Sequence, residues 1–292
     1  MRYVYLDDSN IEIGGTNFTS LAILEDRIED VEIIKCSELK VHTIDSNKDS
    51  FWILGNITGL FSLDSNVITH LVESIKDFVK IEFDYNYCQY RGEIPHQVLG
   101  GEVCKCPAVP VVDYLYSWVI TTSKHMFFMS ERQRAIYSTH FPTFKFHCSS
   151  VLSSCFTRGN LQLFRNVRRQ ESEKNDRYAI LKGFGGWHSK AKGLEESIKY
   201  CIENNLPYDV LPIQQYEQHI GTLSKYKGLI FLPIIDDTCP RCVIEAKLLD
   251  LQVVTSLNSQ HVTEWWWDQE KEEVEKYVSD RPKYFWAKID EL

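Results

Sequence analysis

Residues 236–250, DDTCPRCVIEAKLLD, contain two pairs of side chains whose types and spacing could support chemistry. Asp237 and Glu245 are acids separated by seven residues, and both could accept hydrogen bonds from vicinal hydroxyl groups. Cys239 and Cys242 form a C-x-x-C pair, which is the spacing of redox cysteines and of half a zinc site. A thioredoxin-like pair would follow the first strands of its domain, whereas this pair comes late in the chain. We therefore favour the two carboxylates as the functional pair.

The same stretch predicts a phosphate site. An apolar strand ends at Ile235, and Pro240 suits the first turn of the helix that follows. The backbone N–H groups and the dipole at such a helix start favour a phosphate group. Both acids are expected at a cleft rather than in a core, so replacing either one should leave the fold intact. A diphosphate at the helix start and hydroxyls on the acids together indicate a nucleotide-sugar.

A second group of chemically capable residues lies between residues 88 and 106. Three thiols and one imidazole, from Cys88, His96, Cys104 and Cys106, could close a tetrahedral zinc site. Such a zinc would be structural, because four protein ligands leave no open position for catalysis. Buried thiols without a metal are the alternative.

The elements that must position these residues alternate along the whole chain. Strands are predicted at residues 3–6, 51–54, 79–83, 126–129, 178–182, 208–211, 228–232 and 252–255. Helices are predicted between them, including residues 66–75, 111–122, 131–140, 192–203 and 241–249. Alternation of this kind builds parallel sheets covered by helices on both faces, with ligands at the carboxyl ends of the strands. The sequence therefore predicts an α/β protein with doubly wound sheets.

The length of 292 residues suits two domains of ordinary size. The Arg-rich stretch 158–177 is the predicted joint, interpreted as a solvated linker, with a local basic groove as the alternative. We expect Rossmann-like domains at residues 1–165 and 166–275 that face each other across a central cleft. Residues 276–292 should form a terminal helix that packs back on the N-terminal domain.

Composition narrows the class of protein further. A net charge of −9 and a pI near 5.5 argue mildly against non-specific nucleic-acid binding. No stretch is long and apolar enough to cross a membrane, and the N-terminus does not resemble a signal peptide. Nine cysteines, an odd number, indicate a reducing, cytoplasmic setting.

The acid pair resembles the acid-x7-acid motif of the retaining GT-B glycosyltransferases of the family-4 type, with Asp237 in place of the usual first glutamate. The resemblance extends to WHSKAKGLEESIKYC at residues 187–201, which is similar to the family's Lys-Gly helix start. It also extends to NSQHVTEWW at residues 258–266 and to Gly14 and Gly15 after the first strand. It implies the GT-B fold, in which two Rossmann-like domains face a cleft.

Carried over residue by residue, the resemblance assigns Glu245 to the nucleotide ribose and Asp237 to the sugar hydroxyls. Lys192 would neutralise the diphosphate. Trp187 stands where the family has an arginine, which makes Lys190 or Lys182 a candidate for the second cation. The resemblance places the following further residues in the donor site: Gly14, Gly15, Arg241 and Glu264.

The resemblance also implies a catalytic histidine in the N-terminal domain, but at that point the sequence reads IEFDYNYCQYR. Asp84 is the nearest polar candidate for the catalytic role. The chain contains no D-x-D, the metal-binding pair of the other major glycosyltransferase fold, so no catalytic metal is expected.

The activity implied is the transfer of a hexosyl or pentosyl group from a nucleotide-sugar, with UDP as the favoured nucleotide, and with retention of configuration. The acceptor would be a glycan, a lipid-linked sugar, a small molecule or a hydroxymethylated pyrimidine in DNA, since small phage-type enzymes of this fold modify DNA. The alternative is a non-catalytic sugar- or nucleotide-binding protein of the same fold.

Overall fold

The computed structural model describes residues 2–8, 14–88, 90, 92–170, 173–183 and 186–292. The chain forms two compact units. Unit 1 comprises Met1–Cys155 together with Arg281–Leu292, and unit 2 comprises Phe156–Asp280. No helix within these described ranges is both long and apolar enough to cross a lipid bilayer.

Unit 1 is built on a six-stranded parallel sheet in the order β2-β1-β3-β4-β5-β6. Its strands are β1 (Tyr3–Asp7), β2 (Val31–Lys35), β3 (Phe51–Leu54), β4 (Phe78–Glu82), β5 (His125–Phe128) and β6 (Ser149–Val151). Its helices are α1 (Gly15–Leu24), α2 (Val41–Ser46), α3 (Ser65–Ser74), α4 (Glu93–Gly100), α5 (Pro110–Thr122) and α6 (Glu131–His140). The four central strands, β1, β3, β4 and β5, are wholly buried, which is typical of a parallel sheet covered on both faces.

Unit 2 has a four-stranded parallel sheet in the order β10-β9-β7-β8. Its strands are β7 (Tyr178–Leu181), β8 (Tyr208–Leu211), β9 (Gly228–Phe231) and β10 (Gln252–Thr255). Its helices are α7 (Arg158–Arg169), α8 (Gly186–Ala191), α9 (Leu194–Glu203), α10 (Tyr216–Leu223) and α11 (Arg241–Leu248). Helix α12 (Lys271–Asp290) begins in unit 2, and its residues from Arg281 onward belong to unit 1. Gln260–Thr263 forms a short 3-10 turn in unit 2. Within its described residues, unit 1 has five such turns, at Ile28–Asp30, Cys36–Glu38, Thr58–Ser62, Cys106–Ala108 and Phe146–Cys148.

The residues Arg281–Leu292 pack against the start of the chain within unit 1. The indole N–H of Trp286 donates to the Ile23 carbonyl at 2.7 Å, and the Trp286 and Tyr3 rings form a T-shaped pair with 5.1 Å between centroids. Arg27 and Asp290 form a two-pronged ion pair. Unit 1 is therefore assembled from two separate stretches of sequence.

The predicted α/β class is confirmed, and all eight predicted strands lie within one residue of observed ones. The interpretation of residues 158–177 as a solvated linker is wrong for Arg158–Arg169, which form helix α7. Leu161 and Phe164 are buried there on one face of the helix. Arg165 and Arg168 on the same helix pair with Glu275 of α12, both at 2.6 Å. The segment looked like a linker because its two apolar anchors are surrounded by charged residues.

Candidate functional site

Asp237 lies on the loop that follows β9, and main-chain contacts to a second loop fix its position. Its N–H donates to the Asn258 carbonyl at 2.7 Å, and its own carbonyl accepts from the Gln260 N–H at 2.9 Å. A parallel bridge links it to Ser259. Its carboxylate is buried, with 8% of the side chain exposed, and Oδ2 accepts a hydrogen bond from Lys192 Nζ at 2.5 Å. The Lys192 side chain is 45% exposed, whereas its carboxylate partner is buried.

The backbone at Gly193 explains how Lys192 reaches an acid 45 residues further along the chain. Gly193 has φ +71°, and a Cβ there would collide with the carbonyl of Leu232, just past the end of β9. The N–H of Ile234 also donates to the Ala191 carbonyl at 3.1 Å. A glycine is therefore required for the start of α9 to approach the β9 loop this closely.

Glu245 lies on α11 and is held by two side chains. Its Oε1 accepts from the Tyr216 hydroxyl at 2.8 Å and from Arg241 Nε at 2.9 Å. The side chains of Glu245 and Arg241 are each only 4% exposed. The expectation that Glu245 lies outside a core is therefore wrong, and its removal would strand a buried guanidinium. Burial and the nearby Glu245 charge raise the pKa of Tyr216, so its hydroxyl stays protonated and donates.

The other donor-site candidates occupy varied environments. Lys190 is exposed on α8, whereas Glu264 is buried after the 3-10 turn that includes His261. Gly14 precedes α1 of unit 1 with φ +156°, and Gly15 begins that helix. The side chain of Trp187, at the position where the family pattern has arginine, lies outside the described residues. The donor-binding roles of these residues stay predictions.

The catalytic candidate Asp84 follows β4 in unit 1 and is partly buried. Its carbonyl accepts from Gln133 Nε2 at 3.1 Å. Close by in the sequence lies a pair that the sequence reasoning missed, Lys80 and Glu82, which meet at 3.1 Å with both side chains wholly buried. The sequence does indicate this pair, because a lysine inside the apolar strand FVKIE needs a buried partner. The role of Asp84 stays a prediction.

Cys242, the second cysteine of the C-x-x-C pair, is a buried thiol in acidic surroundings. Burial raises the pKa of the Cys242 thiol, and the neighbouring charges of Glu245 and Asp237 raise it further. Reactive redox cysteines instead have a lowered pKa, because the thiolate is the attacking species. Cys242 is therefore a poor attacking thiol, and the preference for the carboxylates stays a prediction.

The four candidate metal ligands of unit 1 converge. One donor atom from each of Cys88, His96, Cys104 and Cys106 lies within 4.8 Å of all the others. His96 Nδ1 is 3.4 Å from Cys88 Sγ and 3.5 Å from Cys106 Sγ, and the Cys88 and Cys104 sulfurs are 3.5 Å apart. The Glu102 carboxylate lies 4.0 Å from the other ring nitrogen of His96. Three sulfurs and one imidazole nitrogen at these separations could hold a metal ion.

The sequence matches no family model, and no curated protein sequence matches it. Solved structures do match, over nearly the whole chain. Anabaena Alr3699/HepE in complex with UDP has a TM-score of 0.57 and 11% identity, covering 95% of this chain and 89% of its own. WaaG, a glycosyltransferase involved in lipopolysaccharide biosynthesis, has a TM-score of 0.56 and 10% identity, covering 98% and 93%.

A third similar structure is an α-glucosyltransferase in complex with UDP and a 13-mer DNA containing an HMU base. It has a TM-score of 0.54 and 10% identity, and the match covers 99% of this chain and 98% of that one. These likenesses show that the chain has the fold of the GT-B glycosyltransferases.

Proposed function

We propose that this chain is a glycosyltransferase that moves a sugar from a nucleotide-sugar, with UDP as the favoured nucleotide, to a hydroxyl acceptor. The observation that carries the proposal is the Lys192–Asp237 pair beside the helix that bears Glu245. All three residues follow the carboxyl ends of parallel strands, where ligands bind in sheets of this kind. Solved structures of the same fold hold UDP or UDP-glucose, which agrees with this choice of donor.

The proposed roles follow from the chemistry of each side chain. When the bond from the sugar to the diphosphate breaks, negative charge grows on the phosphate oxygens, and the Lys192 ammonium stabilises it. The N–H groups at the start of α11 add to that stabilisation. Asp237 accepts hydrogen bonds from sugar hydroxyls, and Glu245 accepts them from the ribose. Retention of configuration and a catalytic role for Asp84 belong to the same proposal.

The charge of the chain favours a carbohydrate or small-molecule acceptor over DNA. Residues 1–155 contain 20 Asp and Glu against 13 Lys and Arg. A protein that binds a DNA backbone neutralises phosphates with Lys and Arg, and an excess of acids opposes that contact. We therefore propose a glycan, lipid-linked sugar or small molecule as the acceptor.

Nucleotide-sugar binding and turnover test this function. A panel of nucleotide-sugars should include one that raises the melting temperature and is consumed when an acceptor is added. Lys192→Met and Asp237→Asn should each lower kcat/KM about 10- to 150-fold, the value of one hydrogen bond to a charged group. Lys199→Met is the matched control, because this lysine of α9 is 75% exposed and pairs only with Glu203 at 3.7 Å among the described residues. The proposal fails if no nucleotide-sugar binds, or if both site variants keep normal turnover.

Glycosylated DNA as the main product would overturn the choice of acceptor while leaving the transferase assignment in place. The assay should therefore offer oligosaccharides and duplex DNA with hydroxymethylated pyrimidines side by side. Binding of nucleotide-sugars without hydrolysis or transfer would instead indicate a non-catalytic binding protein.

We also propose that Cys88, His96, Cys104 and Cys106 hold a structural zinc ion. A tetrahedral zinc with bonds of about 2.0–2.3 Å holds its ligand atoms roughly 3.5–3.8 Å apart. The sulfur–nitrogen separations of 3.4 and 3.5 Å fit that geometry without large movement. The Tyr90 N–H also donates to Cys88 Sγ at 3.4 Å, a contact that suits a thiolate ligand.

Metal analysis tests the zinc proposal independently of activity. Freshly purified, unchelated protein should contain about one zinc per chain. Cys88→Ser should lower both the zinc content and the melting temperature. Cys36→Ser is the control, because it changes another wholly buried thiol of unit 1 and should leave the zinc content unchanged. Wild-type protein without zinc, or Cys88→Ser protein with full zinc, would contradict the assignment.

A further inference from the structure

Side chains from three helices converge around the Glu245 carboxylate. Tyr216 is the first residue of α10, and Arg241 is the first residue of α11. Arg241 also reaches α7, where its Nη2 donates to Asn160 Oδ1 at 2.8 Å. The face of its guanidinium lies 3.7 Å from the centre of the Phe156 ring. A planar guanidinium held at its edge and on its face has little rotational freedom.

This arrangement uses one oxygen of the carboxylate. Within the described part of the chain, the hydrogen bonds from Tyr216 and Arg241 both go to Glu245 Oε1. Arg241 Nη2 also lies 3.4 Å from the Tyr216 hydroxyl oxygen, so the hydroxyl can accept from Arg241 while it donates to Glu245. Neither of these two hydrogen bonds engages Oε2, so that oxygen can accept a further hydrogen bond. A carboxylate held by two donors cannot rotate without losing both of them.

We propose that Tyr216, Arg241 and Asn160 are positioning residues that orient Glu245 so that its Oε2 accepts the ribose hydroxyls of the donor nucleotide. This inference rests on the proposed function. It gives a role to α7, the stretch that sequence reasoning interpreted as a linker. Through Asn160 this helix fixes Arg241, and through Arg241 it fixes the acid on α11.

The alternative is a purely structural ion pair that stabilises unit 2 and does not affect ligand geometry. The two cases differ in how nucleotide binding responds to the ribose hydroxyls. A positioning role requires that loss of Tyr216 or Asn160 matters only when those hydroxyls are present. A structural role predicts losses that do not depend on the ribose.

Binding of UDP and of 2′,3′-dideoxy-UDP, measured by calorimetry on the whole chain, separates the cases. Tyr216→Phe should weaken UDP binding about 10-fold, the lower end of the value of one hydrogen bond to a charged group, and change dideoxy-UDP binding less than about 2-fold. Tyr226→Phe is the matched control, because it removes another hydroxyl of unit 2, bonded to Asp209 at 3.2 Å. This control should bind both nucleotides like the wild type.

A second pair of variants covers the case in which Tyr216→Phe folds poorly. Asn160→Ala removes the acceptor for Arg241 and should weaken UDP but not dideoxy-UDP, whereas Asn160→Asp keeps an acceptor oxygen and should restore UDP binding. Equal losses for both nucleotides, or no loss for either, would overturn the positioning role. Wild-type protein that binds UDP and dideoxy-UDP equally would overturn the ribose contact alone, while absence of UDP binding would overturn the proposed function with it.

Discussion

Replacing Glu245 by alanine should destabilise unit 2 as well as abolish sugar transfer. The Glu245 and Arg241 side chains are each 4% exposed and 2.9 Å apart, so the alanine variant leaves a buried positive charge without its acid. Breaking a buried pair in this way costs about 3–5 kcal/mol. Glu203→Ala removes an acid from an exposed pair with Lys199, whose side chains are 75% and 60% exposed, and should cost less than about 1 kcal/mol.

The test is a mutant cycle in the free energy of unfolding, measured with urea and fitted with two transitions where the units unfold separately. The double variant Arg241→Met/Glu245→Leu replaces both charges by apolar groups of similar volume. It should recover most of the stability lost in Glu245→Ala, because no charge remains buried.

Two results would refute this reasoning. One is a decrease of less than about 1 kcal/mol in the free energy of unfolding for Glu245→Ala, which is no more than an exposed ion pair contributes. The other is a double variant as unstable as Glu245→Ala, which would mean that the stranded guanidinium is not the source of the cost.

Three further outcomes are expected. Burial lowers the pKa of His261 to about 3, so the unfolded chain binds a proton at this residue at a higher pH than the folded chain does. The free energy of unfolding should therefore be at its full value above about pH 6.5 and fall by about 2 kcal/mol by pH 5. In urea titrations, the His261→Phe variant should show a flatter pH dependence. Gly193→Ala should lower stability by about 1–3 kcal/mol and weaken donor binding, whereas Gly221→Ala, whose added Cβ meets nothing within 4 Å, should be neutral or stabilising in thermal melts. Cys239→Ser and Cys242→Ala should keep most of their transfer activity with and without reductant; an activity switched on or off by dithiothreitol would restore the redox interpretation.

Most of the parallel strands could be predicted because they are short apolar runs, and five of them, β1, β3, β4, β5 and β9, are wholly buried. Two strands escaped prediction for different reasons. In β2, VEIIK, the buried residues Val31 and Ile34 alternate poorly with exposed ones. The strand β6 has only three residues, two of them serines. Both of these strands lie at the edges of their sheet, where the burial that marks a central strand is weaker.

In the candidate site, features that depend on residues close in sequence could be predicted, and features that depend on distant residues could not. The spacing of Asp237 and Glu245 predicted a loop acid and a helix acid, and the structure has both. The burial of Glu245 could not be predicted, because its partner Tyr216 is 29 residues away in sequence. Asn160 is 81 residues from Arg241, and nothing in the sequence pairs them. The four candidate metal ligands could be proposed because all of them lie within one short segment.

The two-part construction of unit 1 has a consequence for the order in which the protein is made. Its first part ends at Cys155, and its last part begins at Arg281. A ribosome that adds about 5–20 residues per second needs roughly 6–25 seconds to make the stretch between them. During that interval the Ile23 carbonyl and the Tyr3 ring have not yet met Trp286. Unit 2 is therefore complete in the nascent chain before unit 1 can reach its final packing.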